Sequence, residues 1–161
     1  MQPIGRITKN TKVRDAEKML TVPTVVVGEN QTIEEIANKV AESPACRTLA
    51  VVDETGKLMG VIPVSQVIDD IFLQVMPAAF LADVVDFDST VSFARKAMVR
   101  KAKDLMQAPA LVKMEETVKD AFERMHRNQL SGLPIIDNDN QVIGYLDMLE
   151  LLLVWIRTRG K

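Results

Sequence analysis

Few residues of this chain have the chemistry that catalysis or metal binding needs. The 161 residues include one histidine, His126, and one cysteine, Cys46, which excludes two-histidine zinc sites and clusters of cysteine ligands. The sequence has no Gly-x-Ser-x-Gly elbow and no glycine-rich phosphate loop. Arg47 is the only cation beside Cys46, so we expect an inert thiol. The sequence therefore predicts no catalytic residues, no metal ligands and no enzyme.

Carboxylates are the remaining chemical candidates, and they lie in two places. Asp83, Asp86 and Asp88 form an acidic stretch whose oxygens suit a divalent cation. Their spacing lacks a complete loop signature, and the solvated face of a linker helix is the favoured interpretation. Asp147 and Glu150 stand three positions apart at the start of a predicted helix, which is a close variant of a capping box. A carboxylate there also suits two hydroxyl donors of a ligand, and both interpretations stay open.

The elements that carry these residues are written twice along the chain. Each copy has a strand, an amphipathic helix, two strands joined by a tight turn, and a closing helix. The amphipathic helices open at Thr32 and Thr117. The first strands are expected at 23–27 and 109–112, the hairpin strands at 49–53, 58–62, 133–137 and 142–146, and the closing helices at 64–75 and 147–157.

The duplication predicts the architecture. One copy alone buries little surface, whereas two copies packed together share one core. We therefore predict an α+β fold of two β-α-β-β-α repeats related by pseudo-two-fold symmetry, with the apolar helix residues Ile33, Ile36, Val118 and Phe122 buried. The expected segments are an N-terminal tail over 1–12, the first repeat over 13–76, linker helices over 77–102 and the second repeat over 103–157.

This order of elements resembles a tandem pair of cystathionine-β-synthase (CBS) domains, a Bateman module, over about 13–157. The marks occur twice: Met shortly before Pro ahead of the first strand, Thr opening the first helix, Leu-x-h-h-Asp and Gly-h-h, with h apolar. The resemblance implies a regulatory module that often binds adenine nucleotides or S-adenosylmethionine in the cleft between its domains. It also implies that occupancy is signalled to a partner protein.

In this family the closing helix commonly opens with Gly-h-x-(Thr/Ser)-x-x-Asp, whose hydroxyl faces a phosphate and whose aspartate holds the ribose. The matching residues are Pro63 and Gln66 in the first copy and Asp147 and Glu150 in the second. Proline offers no hydroxyl, and the charge of Asp147 opposes a phosphate. The resemblance therefore implies a ligand in the second copy, with its ribose on Glu150 and without a preference for polyphosphate.

The resemblance also implies which residues hold the adenine part of the ligand. They are the backbone near the first strand of each copy and the residues ahead of its second strand. For the apolar members, packing in the core is the alternative; for Arg47 and Thr48, phosphate binding and an exposed loop are the two alternatives. The full implied binding set is Thr24, Val26, Thr48, Gln66, Ala110, Leu111, Val112, Ser131, Gly132, Leu133, Pro134, Asp147 and Glu150.

The composition and charge of the chain limit the classes of partner that we expect. A net charge of −2 and 4% aromatic residues argue against nucleic acid. The longest apolar run, 151–156, is too short to cross a bilayer, and with no visible targeting segment we expect a cytoplasmic protein without membrane insertion. The closing helix of the second copy is apolar nearly all round, which predicts a homodimer.

The sequence leaves three functions open. One is a sensor of an adenosine-type small molecule that acts on a regulated partner protein. The second is a ligand-free dimerisation or interaction module, and the third is a divalent-cation sensor. None of them requires a cofactor.

Overall fold

The computed structural model describes residues 6–75 and 101–159, and the side chains of 73–75 are left out. Of the linker helices expected over 77–102, residues 77–100 lie outside these residues, and so does the acidic stretch with Asp83, Asp86 and Asp88. The elements of the first half are α1 Val13–Glu17, β1 Val26–Gly28, α2 Ile33–Glu42, β2 Thr48–Val52, β3 Leu58–Pro63 and α3 Val64–Val75. Those of the second half are α4 Ala102–Leu105, β4 Val112–Lys113, α5 Val118–Asn128, β5 Gly132–Ile136, β6 Val142–Asp147 and α6 Met148–Thr158.

The strands form two three-stranded sheets with the same topology. In the first sheet β1 lies parallel to β2 and β2 antiparallel to β3, and β4, β5 and β6 repeat this arrangement. The register shifts at corresponding points, between Val51 and Val52 in one hairpin and between Ile135 and Ile136 in the other. The predicted α+β fold of two β-α-β-β-α repeats is confirmed.

The first strand of each repeat is shorter than the sequence predicts. β1 begins at Val26 and β4 at Val112, three residues after Pro23 and Pro109. Proline has no N–H to donate to a ladder, so the residues around it lead into the strand without pairing in it. The predicted apolar faces of the helices are otherwise in place: Ile33, Ile36 and Val118 are buried, while Phe122 is half-buried.

The segment ahead of each repeat packs on the other repeat. α1 contacts β6 and α5 of the second repeat, and the Val13 N–H donates to the Glu116 carbonyl at 2.8 Å. α4 in turn packs on β3 of the first repeat, where Val61 and Gln107 exchange both backbone hydrogen bonds, at 3.3 and 2.8 Å. The two repeats are therefore interlocked rather than merely adjacent.

The repeats also exchange side chains between their cores. Val61 on β3 belongs to the core cluster of the second repeat, and Tyr145 on β6 belongs to that of the first. The turns meet as well, because Leu58 and Asn140 hydrogen bond to each other through the Leu58 N–H at 3.0 Å and the Asn140 amide at 3.1 Å. These reciprocal contacts are the pseudo-two-fold symmetry that the duplication predicts.

Two helices keep large apolar side chains in contact with solvent. α3 exposes Ile68 and Phe72, and the exposed apolar residues of α6 are Leu149, Leu152, Leu153, Trp155 and Ile156. Neither helix crosses a membrane: within 6–75 and 101–159, no helix combines the necessary length and apolar character.

Candidate ligand clefts between the repeats

A cavity of about 330 Å³ lies between the two repeats, and we call it the first cleft. This volume falls at the lower end of the range that small-molecule sites occupy. Both repeats contribute to the walls, so a ligand in the cleft would touch both. The first repeat supplies Pro44, Arg47, Thr48, Pro63, Val64, Ser65 and Ile68, and the second supplies Gln129, Leu130 and Ser131.

The first cleft holds a cation beside a helix start. The Arg47 carbonyl accepts the Val64 N–H at 2.9 Å, so the backbone of Arg47 is fixed next to the first residue of the twelve-residue helix α3. The N–H groups and dipole at a helix start favour an anion, and a guanidinium is suited to phosphate or carboxylate. Since no carboxylate lines this cavity among the described residues, the first cleft favours an anionic group.

The hydroxyl of Thr48 is the second distinctive group of the first cleft. Thr48 is 2% exposed, and within the described part of the chain its Oγ1 has no hydrogen-bond partner. A buried polar group left in this way costs about 1–3 kcal/mol. A hydrogen-bonding group that reaches Thr48 from the cavity removes this cost, which is a contribution that a ligand would supply.

The pseudo-symmetric position, between the start of α6 and residues 46–47 ahead of β2, is the second cleft. Here Asp147 is 3% exposed and caps α6 by accepting the Glu150 N–H at 3.0 Å. Asp147 therefore has the capping role that is one of its two sequence interpretations.

Glu150 is committed to the segment that crosses from one repeat to the other. Its carboxylate accepts the Thr21 N–H at 2.8 and 3.0 Å, the Thr21 hydroxyl at 2.8 Å and the Val22 N–H at 2.8 Å. These bonds use the carboxylate that the resemblance assigns to a ribose. Gln66, at the corresponding place in the first repeat, donates its side-chain N–H to the Leu105 carbonyl at 2.9 Å.

Tyr145 occupies the second cleft. Its hydroxyl accepts the Arg47 N–H at 3.2 Å and donates to Oδ1 of Asp147 at 3.3 Å. The ring passes over Gly132, where a Cβ atom would lie 1.9 Å from the tyrosine oxygen. Only glycine at position 132 is compatible with this placement of the ring.

Burial dominates the electrostatics around Tyr145. Desolvation, and next the neighbouring Cys46, raises the pKa of Tyr145 above its ordinary value. The pKa of Cys46 is also raised, mainly by burial, while hydrogen bonds to the backbone and to Tyr145 partly oppose this. The Cys46 thiol donates to the Thr48 carbonyl at 3.3 Å. Both groups are thus neutral near pH 7 and act as hydrogen-bonding parts of the interior.

The remaining residues of the sequence-predicted set are scattered. Ala110 and Leu111 line a separate groove of about 880 Å³ beside β4, together with Arg14, Arg124 and Arg127 among others. The structure brings Thr48 and Ser131 together at the first cleft. Val112, Gly132, Leu133 and Pro134 are buried in the second repeat, while Thr24 and Val26 are half-buried in the first.

Sequence reasoning missed Tyr145 as a site residue. A signal is present in the alignment of the two copies, where Gly132 corresponds to Thr48 and Tyr145 corresponds to Val61. A glycine and a tyrosine in place of two medium side chains indicate that the tyrosine ring fills the space that the glycine leaves. Among the described residues there is no group of histidine, cysteine or carboxylate side chains that could hold a metal ion.

Two facing repeats with a cleft at their interface define a domain-pair architecture, and comparison identifies it. The family model for the CBS domain matches 13–72 and 102–156. The chain therefore belongs to the CBS-domain family. The matched segments cover both repeats and the start of each crossing segment, so the whole architecture described above is that of a CBS pair.

Solved structures agree with this assignment. The chain is 27% identical to a CBS domain-containing protein from Thermotoga maritima, with 96% of this chain and 100% of that chain covered and a TM-score of 0.72. It shares the fold of the CBSX2 protein from Arabidopsis thaliana, solved in complex with AMP, at 19% identity and a TM-score of 0.65, with 92% and 98% covered.

Curated relatives come from Methanocaldococcus jannaschii. An uncharacterized protein is 23% identical, with 93% of this chain and 98% of that protein covered. Inosine-5′-monophosphate dehydrogenase is 25% identical over 87% of this chain but only 23% of the enzyme. The match to the enzyme is therefore confined to less than a quarter of its length, and CBS pairs are in general regulatory rather than catalytic.

Proposed function

We propose that this protein is a regulatory CBS pair that binds an adenosine-containing ligand and passes on its occupancy to a partner protein. The ligand classes are adenine nucleotides and S-adenosylmethionine. The observation that carries the proposal is the first cleft, which is lined by Arg47, the start of α3 and Thr48, whose hydroxyl has no partner in 6–75 and 101–159. The protein is not an enzyme in this proposal.

The first cleft is the proposed binding place. A phosphate or carboxylate of the ligand pairs with Arg47 near the start of α3, and a ligand oxygen or nitrogen bonds to Thr48. Ser131 faces the same cavity from the second repeat. The second cleft, which the sequence favours, has less support, because Asp147 and Glu150 already hold partners within the chain.

Proteins of the same fold support the ligand class. CBSX2 was solved with AMP, another CBS pair with 5′-methylthioadenosine and S-adenosyl-L-methionine, and the cytosolic domain of the Mg²⁺ channel MgtE with ATP. Their identity to this chain is 19% in each case. The adenosine moiety is common to all of these ligands, and it is the part that we carry over to this protein.

The exposed apolar face of α6 is the proposed contact with another chain. It consists of Leu149, Leu152, Leu153, Trp155 and Ile156. A contiguous apolar face of this kind is covered in most proteins that work in water, and a symmetric dimer is the commonest way to cover it. We propose a cytoplasmic homodimer whose surface also serves the regulated partner.

Calorimetric titration with AMP, ATP and S-adenosylmethionine tests the binding place. We expect Arg47→Ala to weaken AMP by about tenfold or more, since a charged hydrogen bond contributes about 1.5–3 kcal/mol. Arg127→Ala is the matched control, because this exposed arginine lines the groove beside β4. Loss of AMP binding in Arg127→Ala but not in Arg47→Ala would transfer the site to that groove.

A ligand-free dimerisation module is the second candidate function. Its specific support is the second cleft, where the chain's own groups satisfy the family's ligand-binding carboxylate. A thermal-shift screen with the three adenosine ligands and Mg²⁺, combined with light scattering, separates the candidates. A dimer that no ligand stabilises would establish the module, and stabilisation by Mg²⁺ alone would favour the cation sensor.

A further inference from the structure

We propose that Tyr145 is a permanent occupant of the second cleft and a positioning residue for Arg47 in the first, so that each chain binds one ligand. Tyr145 reaches from β6 of the second repeat into the core of the first repeat. The part of the proposal that concerns ligand binding rests on the proposed function. The part that concerns the filled cleft rests on the contacts of Tyr145 alone.

The asymmetry between the clefts originates in two matched positions. In the first repeat Ala50 pairs with Val61 and Thr48 with Pro63, while in the second Pro134 pairs with Tyr145 and Gly132 with Asp147. Tyr145 therefore takes the place of Val61, and Gly132 that of Thr48. The tyrosine ring lies over the glycine, whereas Thr48, at the matched position of the first repeat, lines a cavity.

Hydrogen bonds hold Tyr145 in that place. Its hydroxyl accepts from Arg47 and donates to Asp147, and Asp147 in turn accepts the Glu150 N–H. A ligand that entered the second cleft would have to break the bond to Asp147 and move a side chain that is 4% exposed. Asp147 and Glu150, the groups that could bond to such a ligand in compensation, are already hydrogen bonded within the chain.

The same hydroxyl positions the cation of the first cleft. The backbone of Arg47 is fixed on both sides, with its N–H on Tyr145 at 3.2 Å and its carbonyl on Val64 at 2.9 Å. Both bonds restrict the position of the Arg47 backbone, and therefore the region that its guanidinium can reach. A residue of the second repeat thereby sets the geometry of a binding group in the first, without touching the ligand.

The chain's single cysteine reports whether Tyr145 fills the second cleft. Cys46 is 0% exposed and hydrogen bonded near the tyrosine, and its reaction with a disulfide reagent needs access. We expect Tyr145→Val to raise the reaction rate by roughly tenfold or more and Tyr145→Phe to leave it nearly unchanged, because phenylalanine keeps the ring. No ligand is involved in this measurement.

Leu146→Ala is the control for general destabilisation. Leu146 is the next residue of β6 and lies in the core of the second repeat, so its truncation weakens the fold without opening the cleft. An unchanged rate in Tyr145→Val, or an equal increase in Leu146→Ala at matched stability, would overturn the proposal that the ring fills the cleft.

Calorimetry with AMP tests the positioning role and the stoichiometry. We expect one AMP per chain in the unmodified protein and a several-fold weaker affinity in Tyr145→Phe, which leaves the Arg47 N–H without its partner, while Leu146→Ala keeps the affinity. The double variant Tyr145→Val, Asp147→Thr removes the ring and puts the hydroxyl of the family pattern at the helix start, and it is expected to bind two AMP per chain.

The outcomes separate the two proposals. Two AMP per unmodified chain, or equal affinity of Tyr145→Phe and the unmodified protein, would overturn the inference about Tyr145 while leaving the proposed function standing. No binding to any variant would overturn the proposed function, and the positioning of Arg47 with it. The rate of Cys46 modification would then still decide whether Tyr145 fills the cleft.

Discussion

The two repeats pair their strands in the same register, and each hairpin shifts at the same point, yet their clefts are built in opposite ways. Thr48 and Val61 are the medium side chains at the matched positions of the first repeat, where Thr48 lines a cavity and its hydroxyl has no partner among the described residues. In the second, Tyr145 covers Gly132 and bonds to Asp147. A duplicated fold thus keeps its backbone while one copy of the site becomes part of the interior.

The side chains in the first turns of α3 and α6 differ in the direction of their hydrogen bonds. Gln66 donates to the carbonyl of Leu105, whereas Glu150 accepts from the N–H groups of Thr21 and Val22. Both side chains hold the segment that crosses to the other repeat. The position that binds a ribose in the family pattern is therefore also one that connects the two repeats. Glu150, which is charged, does so with more hydrogen bonds than Gln66.

A basic side chain covers the outer edge strand of each sheet. Lys39 covers the Val26 carbonyl in the first repeat, and Arg124 covers the Leu111 carbonyl in the second. Covering the free groups of an edge strand in this way discourages pairing with other chains. In the second repeat, the covering cation Arg124 also forms an ion pair with Glu116.

The largest effect is expected where the repeats differ most in volume. Gly132→Ala places a Cβ within 1.9 Å of the Tyr145 oxygen and 2.4 Å of its ring carbon, which should lower the free energy of unfolding by about 3 kcal/mol or more. Urea unfolding measures it. Tyr145→Val should rescue Gly132→Ala in a double-mutant cycle, and additive losses in that cycle would show that the ring is not what the new methyl group meets.

A smaller effect is expected from the two ties to the crossing segments. Glu150→Ala should lower the free energy of unfolding by about 2 kcal/mol, because two N–H groups and a hydroxyl lose a charged acceptor. Gln66→Ala, with one neutral bond, should cost about 1 kcal/mol. If Glu150→Ala leaves stability unchanged but weakens AMP, the carboxylate serves the ligand rather than the crossing segment.

The ion pair between Arg124 and Glu116 at the edge of the second sheet predicts a pH dependence of stability. The hydrogen bond from Arg124 holds the pKa of Glu116 below its ordinary value of 4.5. A carboxyl whose pKa is lower in the folded state stabilises the fold above the ordinary value, and this contribution is lost as the pH falls through the folded pKa. Glu116 is thus expected to contribute at neutral pH and not in strong acid.

Urea titrations of the unmodified protein and Glu116→Gln at several pH values check this expectation. The difference in unfolding free energy should be about 1 kcal/mol at pH 7 and should shrink below pH 4.5. Gln31, whose side chain accepts the Gly28 N–H at the corresponding edge, carries no charge, so Gln31→Ala should show a constant difference. A constant difference for Glu116→Gln as well would mean that the ion pair does not stabilise the fold.

Much of this fold is legible from the sequence, because both copies repeat the same apolar periods and turn residues. The helix that opens at Thr117 and the hairpin that closes near Asp137 are local patterns, and local patterns fix element types. The crossing of α1 onto β6 is not local. It depends on which surfaces of two similar repeats fit together, and no residue spacing encodes that choice.

The candidate site was harder to predict for a related reason. Asp147 and Glu150 are correctly predicted at a helix start, but the partners of Glu150, Thr21 and Val22, lie in the other repeat and far away in sequence. The role of Tyr145 likewise depends on Arg47 across the interface. Sequence patterns identify groups with suitable chemistry, whereas the partner that each group finds is set by packing.

The smallest expected effect on stability belongs to Thr48, and it has the opposite sign. Thr48→Val keeps the shape and removes a buried hydroxyl that has no partner in the part of the chain that the structure describes, so the free energy of unfolding should stay the same or rise by about 1 kcal/mol. The same change should weaken the affinity for AMP by roughly fivefold, since a net hydrogen bond of about 1 kcal/mol is lost in the complex.

Thr48→Ser keeps the hydroxyl and serves as the control for binding. Urea unfolding and calorimetry on the same samples give both quantities. A variant that is less stable and binds AMP as before would show that the hydroxyl serves the fold, and the first cleft would then lose one of the two features that distinguish it from the second.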